Sequence, residues 1–335
     1  MTRPFRCIAP LLIVLSLSFT SSAFSGETSP KPKSFSMAVK VGIPVFGANS
    51  MPLFIAKEKG FYEEQGLKVE FILIQASVSA VATTSGQIDF TGAVGSSLGA
   101  ALQGVPIKVV LILSGKPKYW IFSRPEIQSM AGLIGRTLAT GTRGGDQYVE
   151  TLLLLEKFGL IGKVNVLPMA GFAARAVVNS LISGQIDAGY ASDSTYFELK
   201  DKGFRELADY ADYLETPTAG VATSQKLIDA RPDMVQAFVN ASYRGMLFFK
   251  KNRPESINVM ARYMKLEDRS AARIYDLVIN TFGGDGTIPY APVKKKLEAR
   301  KNILNLASAV PSYDELFDDR FARKLQRQRG NGVAP

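Results

Sequence analysis

Short apolar runs alternate with stretches of helical periodicity along most of the chain. Lys40-Val41-Gly42-Ile43 is apolar enough for a strand, a helix opens at Pro52 and closes by Gly66, and residues 69–74 form a second strand. Gln75-Ala76-Ser77 leads into a helix that ends at Gly86. Residues 88–94 then read as a third strand, with Gly95-Ser96-Ser97 starting the next helix. Residues 107–113 are almost continuously apolar, the pattern of a strand covered on both faces. The same order then repeats: strand 136–140, helix to Gly159, strand 164–169, helix to Gly184, strand 186–191. A pentapeptide marks the repeat, since Ser85-Gly86-Gln87-Ile88-Asp89 recurs as Ser183-Gly184-Gln185-Ile186-Asp187, and Glu58-Lys59 recurs as Glu156-Lys157 at the same offset.

A glycine that ends a helix, followed at once by a strand, is half of an α/β unit. Two series of such units predict an α/β protein of two lobes, each a mostly parallel sheet flanked by helices, with a cleft between them. After Tyr210 one more strand (219–223) precedes a helical region to about Arg300, broken at Pro232, Pro254 and Gly283-Gly284. The expected division is a signal peptide at 1–25, a flexible mature N-terminus at 26–37, lobe 1 at 38–122 and 222–323, lobe 2 at 123–221, and a disordered tail at 324–335. The lobes would be joined by two crossing segments, near 116–124 and 216–221.

Composition removes much chemistry from consideration. The chain of 335 residues has no histidine and one cysteine, Cys7, which sits in the N-terminal segment. The mature chain then has no disulfide, thiolate nucleophile, Cys/His zinc site or histidine-based triad. Arg3 and Arg6, the apolar stretch 8–19 and the small residues around Ala23 and Ser25 read as a cleavable secretory signal, hence a periplasmic destination. The formal net charge is +10, but the basic residues are dispersed apart from Lys294-Lys295-Lys296 and the tail 320–329. Those runs read as solvated faces rather than a nucleic-acid footprint.

Candidate binding positions lie where predicted strands end and helices begin, the place where open α/β sheets take ligands. They are Phe46, Asn49, Ser50, Ser77, Gly95, Ser96, Thr142, Arg143, Gly144, Gly171, Phe172, Ser192 and Asp193. Helix starts present unpaired N–H groups and partial positive charge, which suit carboxylate, sulfonate or phosphate oxygens. Arg143 could grip two such oxygens or simply bridge to Asp146 or Glu150, and Asp193 could meet a ligand N–H or only cap its helix. Gly95-Ser96-Ser97-Leu98-Gly99 fits the G-x-S-x-G pattern, yet Ser97 has no histidine to serve as its base, so no catalytic residue is assigned. No metal or cofactor site is expected.

The stretch Pro52-Leu53-Phe54-Ile55-Ala56-Lys57-Glu58-Lys59-Gly60-Phe61-Tyr62, followed by Gly66-Leu67-Lys68-Val69 and Ser85 to Phe90, resembles the substrate-binding proteins of ABC importers. It is most similar to the group that includes nitrate, taurine, alkanesulfonate and thiamine-pyrimidine binders. Arg124-Pro125-Glu126-Ile127, the glycine loop 141–145 and residues 181–187 continue the pattern in order. The resemblance implies a type II periplasmic-binding-protein fold that closes on a small molecule and docks on a permease driven by a cytoplasmic ATPase. It puts the ligand loops around Asn49, Ser77, Ser96, Arg143, Gly171 and Asp193. The fungal pyrimidine-forming enzymes of the same resemblance rely on histidine and a cysteine-rich motif, which this chain lacks. The expectation is therefore a monomeric, non-catalytic exported binder of a small anionic organic molecule. An exported enzyme or a sensor on the same two lobes is the alternative, and the ligand's identity is left open.

Overall fold

A computed structural model describes residues 37–169 and 173–330. Ten strands form two five-stranded sheets: β1 (Met37–Ile43), β2 (Leu67–Leu73), β3 (Phe90–Thr91), β4 (Ile107–Ser114), β5 (Tyr119–Ser123), β6 (Thr137–Thr140), β7 (Asn165–Pro168), β8 (Ala188–Ser192), β9 (Arg205–Asp209) and β10 (Ala219–Ser224). The sheet orders are β2-β1-β3-β10-β4 and β7-β6-β8-β5-β9. β1 runs parallel to β2 and β3, as β6 does to β7 and β8, while β10 and β5 are the antiparallel members of their sheets. The two lobes thus share one plan.

Fourteen α-helices cover these sheets in the described residues. They are α1 (Met51–Glu58), α2 (Phe61–Glu64), α3 (Ala76–Thr84), α4 (Val94–Ala101), α5 (Asp146–Lys157), α6 (Ala173–Ile182) and α7 (Asp193–Asp201), then α8 (Gln225–Ala230), α9 (Pro232–Lys251), α10 (Arg253–Met264), α11 (Asp268–Val278), α12 (Tyr290–Leu304), α13 (Tyr313–Leu316) and α14 (Arg320–Gly330). None of them is long and apolar enough to cross a membrane.

The repeated pentapeptide does the same work twice. Gly86 and Gly184 both take left-handed φ values, 79° and 78°, which a residue with a Cβ adopts only under strain. Asp89 then bonds the first sheet through its carboxylate, accepting from Lys40 N at 2.7 Å, and through its own N–H to Lys40 O at 2.8 Å. Asp187 repeats this on β6, accepting from Thr137 N at 2.9 Å and donating to Thr137 O at 3.1 Å. The sequence motif is a device for locking helix end to strand start.

The first lobe buries Val41, Phe54, Phe90 and Phe238, with the Phe90 and Phe238 rings stacked 4.1 Å apart. The second buries Ile121, Leu138, Val149 and Leu154. Three local expectations are corrected. The third strand is only Phe90–Thr91, because α4 already begins at Val94 and so takes Gly95 and Ser96 into its first turn. The crossings fall at residues 115–118 and 213–218, so β5 belongs wholly to the second sheet and β10 wholly to the first, where the expected limits divided each strand. Residues 324–330, expected to be disordered, continue α14, since Phe321, Ala322 and Leu325 form an apolar face that is buried despite the basic composition.

Candidate functional site: the cleft between the sheets

The two crossing segments are bonded to each other between the two sheets. Thr216 N donates to Gly115 O at 2.8 Å and Thr218 N to Ser114 O at 3.0 Å. Lys118 ties them from the side: its ammonium donates to Ser114 Oγ at 2.9 Å and Thr218 Oγ1 at 3.3 Å, and lies 4.3 Å from the centre of the Phe282 ring. Only 3% of Lys118 is exposed. Among the described residues it has hydroxyl partners but no carboxylate within ion-pair distance. Burial therefore pulls its pKa down to about 7, against the opposing influence of Asp193 and Glu150.

That shift has a sign. The unfolded chain holds this proton up to the ordinary lysine range, whereas the folded chain releases it near 7, so the folded state gains on the unfolded one as pH rises between those values. Lys118→Met is expected to remove this rise. Urea unfolding at pH 7 and pH 9.5 should show wild type gaining on the order of 2–4 kcal/mol relative to the variant, and parallel pH profiles for the two proteins would contradict it.

A second polar cluster joins the two lobes on one flank. Asp146 and Glu150 lie one turn apart on α5, and Lys296 and Arg300 lie one turn apart on α12. Lys296 Nζ meets Asp146 Oδ1 at 2.8 Å and Glu150 Oε1 at 2.6 Å, and Arg300 meets Asp146 Oδ1 at 2.5 Å. Arg300 also donates to Gly95 O at 3.2 Å, and Thr216 Oγ1 donates to Glu150 Oε1 at 2.7 Å, which connects the cluster to α4 and to the crossing strand. Burial opposes the charge of Asp146, but Lys296 and Arg300 outweigh it and hold its carboxyl well below the usual range. For Glu150, wholly buried, desolvation prevails over Lys296 and the pKa goes up. Helix α12 itself is shared: Val293 and Leu297 belong to the core of the first lobe, while Ala299 and Ile303 pack on the core of the second.

A third cross-lobe contact sits at the start of α7. Asp193 Oδ2 accepts from Ala48 N at 3.2 Å, at the head of the 3₁₀ turn Ala48–Ser50 that runs straight into α1. Its Oδ1 accepts from Ser194 N at 2.8 Å. Burial raises the Asp193 pKa even against these two amides and Lys118.

The predicted site residues are distributed unevenly. Asp193 and Gly95 stand at the junction of the lobes, and Asn49 beside the first of these has its Oδ1 buried with no hydrogen-bond partner among the described residues. Ser50 is buried and donates to Val45 O, while Phe46 is 40% exposed and leans on Phe54, 5.5 Å between centroids. Ser96 is half-buried in the first turn of α4. Ser192 takes the N-cap position, its N–H donating to Thr195 Oγ1. Ser77, Thr142 and Arg143 are exposed, and Gly144 is packed against Leu304 with a φ of 77°. Gly171 and Phe172 lie outside the described residues. Ser97, the central serine of the G-x-S-x-G stretch, is 1% exposed and its hydroxyl donates to Ala93 O. Among the described residues no group of three or more potential metal ligands occurs.

Lys118, Glu150, Lys296 and Arg300 are the buried charged residues at the lobe junction that the sequence reading left out of the candidate site. Lys296 in particular was expected on a solvated face, yet it is 3% exposed. One signal was available: the acids at 146 and 150 and the cations at 296 and 300 each repeat at i, i+4, marking one face of a helix.

Comparison with known proteins agrees with this architecture. Over 228 residues the chain is 27% identical to the riboflavin-binding protein RibY of Chloroflexus aurantiacus, a match covering 64% of this chain and 62% of that protein, so less than two thirds of the relative is spanned. Among solved structures, the periplasmic aliphatic sulphonate-binding protein SsuA of Escherichia coli superposes with a TM-score of 0.68 at 18% identity, over 80% of this chain and 87% of that one. The desulfurization enzyme DszB superposes with a TM-score of 0.61 at 16% identity, over 87% and 99%. The periplasmic-binding-protein fold is thus common to binders and to an enzyme. The family model described as NMT1/THI5 like matches residues 47–257, well over half of the chain, and the chain belongs to that family.

Proposed function

We propose that this chain is the extracytoplasmic solute-binding component of an import system. It closes two lobes on a small organic molecule and presents the closed form to a membrane permease that works with a cytoplasmic ATPase. The observation that carries the reading is the pair of cross-lobe contacts at helix starts, Asp193 to the Ala48 amide and the Asp146 cluster to Gly95, which set helix starts of the two lobes against each other. A molecule held between them touches both lobes at once and so stabilises the closed state over the open one. The basic, apolar N-terminal stretch supports export through a cleavable signal to the periplasm, and a monomer suffices for this role. Turnover is disfavoured because the chain has no histidine and the Ser97 hydroxyl is buried on a backbone carbonyl.

Riboflavin, the ligand in the name of the Chloroflexus aurantiacus relative, is the first compound to test, with pyrimidines, sulfonates and carboxylates beside it. At least one compound is expected to raise the melting temperature by several degrees, to bind one per chain by calorimetry, and to be recovered chemically unchanged. Failure of a broad panel to shift the melting temperature, together with no ligand found by native mass spectrometry of freshly isolated protein, would defeat the proposal.

A further inference from the structure

We infer that the cleft is built for a molecule of no net charge, and that Asp193 is the residue that keeps anions out. The inference rests on the solute-binding reading and narrows it. A helix start attracts an anion only while its N–H groups and partial positive charge are free. Here the second lobe supplies its own carboxylates to the first. Asp193 Oδ2 accepts from Ala48 N, and the Cβ position of Gly47 lies 3.9 Å from the same oxygen. The Asp146 carboxylate lies so close to Gly95 in the first turn of α4 that a Cβ there would overlap Oδ2.

The fixed charges also cancel. Asp146 and Glu150 stand against Lys296 and Arg300, and Asp193 stands against Lys118, on which it exerts the strongest acidic influence. An anion entering between the lobes would give up its water for a surface on which Lys296 and Arg300 are already paired, and it would face the Asp193 carboxylate. The position foreseen for anion pairing does not alter this balance, because Arg143 is exposed and Thr142 beside it turns its hydroxyl back to Met169 O at 3.4 Å. The buried acceptor Asn49 Oδ1, without a partner, suits a neutral ligand that offers an N–H or O–H. Bare helix starts led the sequence to suggest an anion; these starts are not bare.

The test compares wild type with Asp193→Asn and Asp193→Ser at pH 6, where Lys118 carries its proton, using calorimetry with ethanesulfonate and with the pair riboflavin and riboflavin 5′-phosphate. Wild type is expected to give no saturable heat with ethanesulfonate and to bind the phosphate at least about tenfold more weakly than the neutral flavin if it binds either. Both variants should gain on ethanesulfonate, with a dissociation constant at least about tenfold lower than wild type, because the repelling carboxylate charge is gone and, in the serine variant, the Ala48 amide also loses its acceptor. Saturable binding of ethanesulfonate by wild type would overturn the inference. So would variants that keep the wild-type circular dichroism spectrum and gain nothing. Either result leaves the two-lobed binder standing, whose own failure would appear as silence of the uncharged compounds.

Discussion

Lys296→Met should lower the unfolding free energy by about 3–5 kcal/mol and the melting temperature by on the order of 10 °C. Lys296 is 3% exposed and its ammonium is shared between Asp146 and Glu150. Removing it leaves Glu150, wholly buried, with Thr216 Oγ1 on Oε1 and no partner on Oε2 among the described residues. Asp146 retains Arg300, so the penalty falls mainly on Glu150, which must either stay charged without a counter-ion or take up a proton. The double variant Lys296→Met/Glu150→Leu removes both members of the pair together and should recover most of the loss, since two apolar side chains of similar volume need no partner. Urea unfolding followed by far-UV circular dichroism reads both. A single-variant loss under about 1 kcal/mol, the value of an exposed pair, would mean that the cluster is solvated.

Gly95→Ala is expected to weaken ligand binding by about tenfold to a hundredfold while leaving the lobes folded. The added methyl overlaps Asp146 Oδ2, and that carboxylate cannot swing away without leaving both Lys296 and Arg300. α4 and α5 must then shift against each other, which disturbs the closed arrangement that the ligand needs. Within α4 itself alanine is a better helix former than glycine, by about 0.5–1 kcal/mol, so thermal stability without ligand should not fall steeply. Small-angle scattering with saturating ligand should then show a larger radius of gyration than for wild type. Unchanged affinity would mean that α4 and α5 do not meet in the bound form.

Much of the fold could be read from local pattern because its signals are local. Gly86 and Gly184 mark helix ends by a conformation few other residues accept, and the aspartates three residues later bond the adjacent strand within the same motif. The alternation of apolar runs and helical stretches then fixed the order of elements, and the sheet membership of β5 and β10 was blurred only where the crossing strands are apolar throughout. The candidate site was legible in part, for a physical reason. Helix starts at Ser50, Gly95, Ser192 and Asp193 are local features and were found. What decides their chemistry is whether they are free, and that depends on partners far away in the chain: Ala48 with Asp193, Gly95 with Arg300, Glu150 with Lys296. A run such as Lys294-Lys295-Lys296 looks uniform in sequence, yet Lys295 pairs with Glu156 at half exposure while its neighbour is buried. Composition alone could not separate them.

The lobes touch on two flanks of unlike chemistry. On one, α11 meets α7 through Arg273 and Asp201, both well exposed to water. On the other, α12 is wedged into both cores and carries the buried ions. Beneath the exposed Arg273–Asp201 pair one apolar core is continuous from Ala271 and Ile274 of α11 to Tyr196 and Leu199 of α7, so the first flank is held by burial and the second by buried ions as well. Added salt therefore reaches only the outer Arg273–Asp201 pair of the first seam and leaves the lobes joined on both sides.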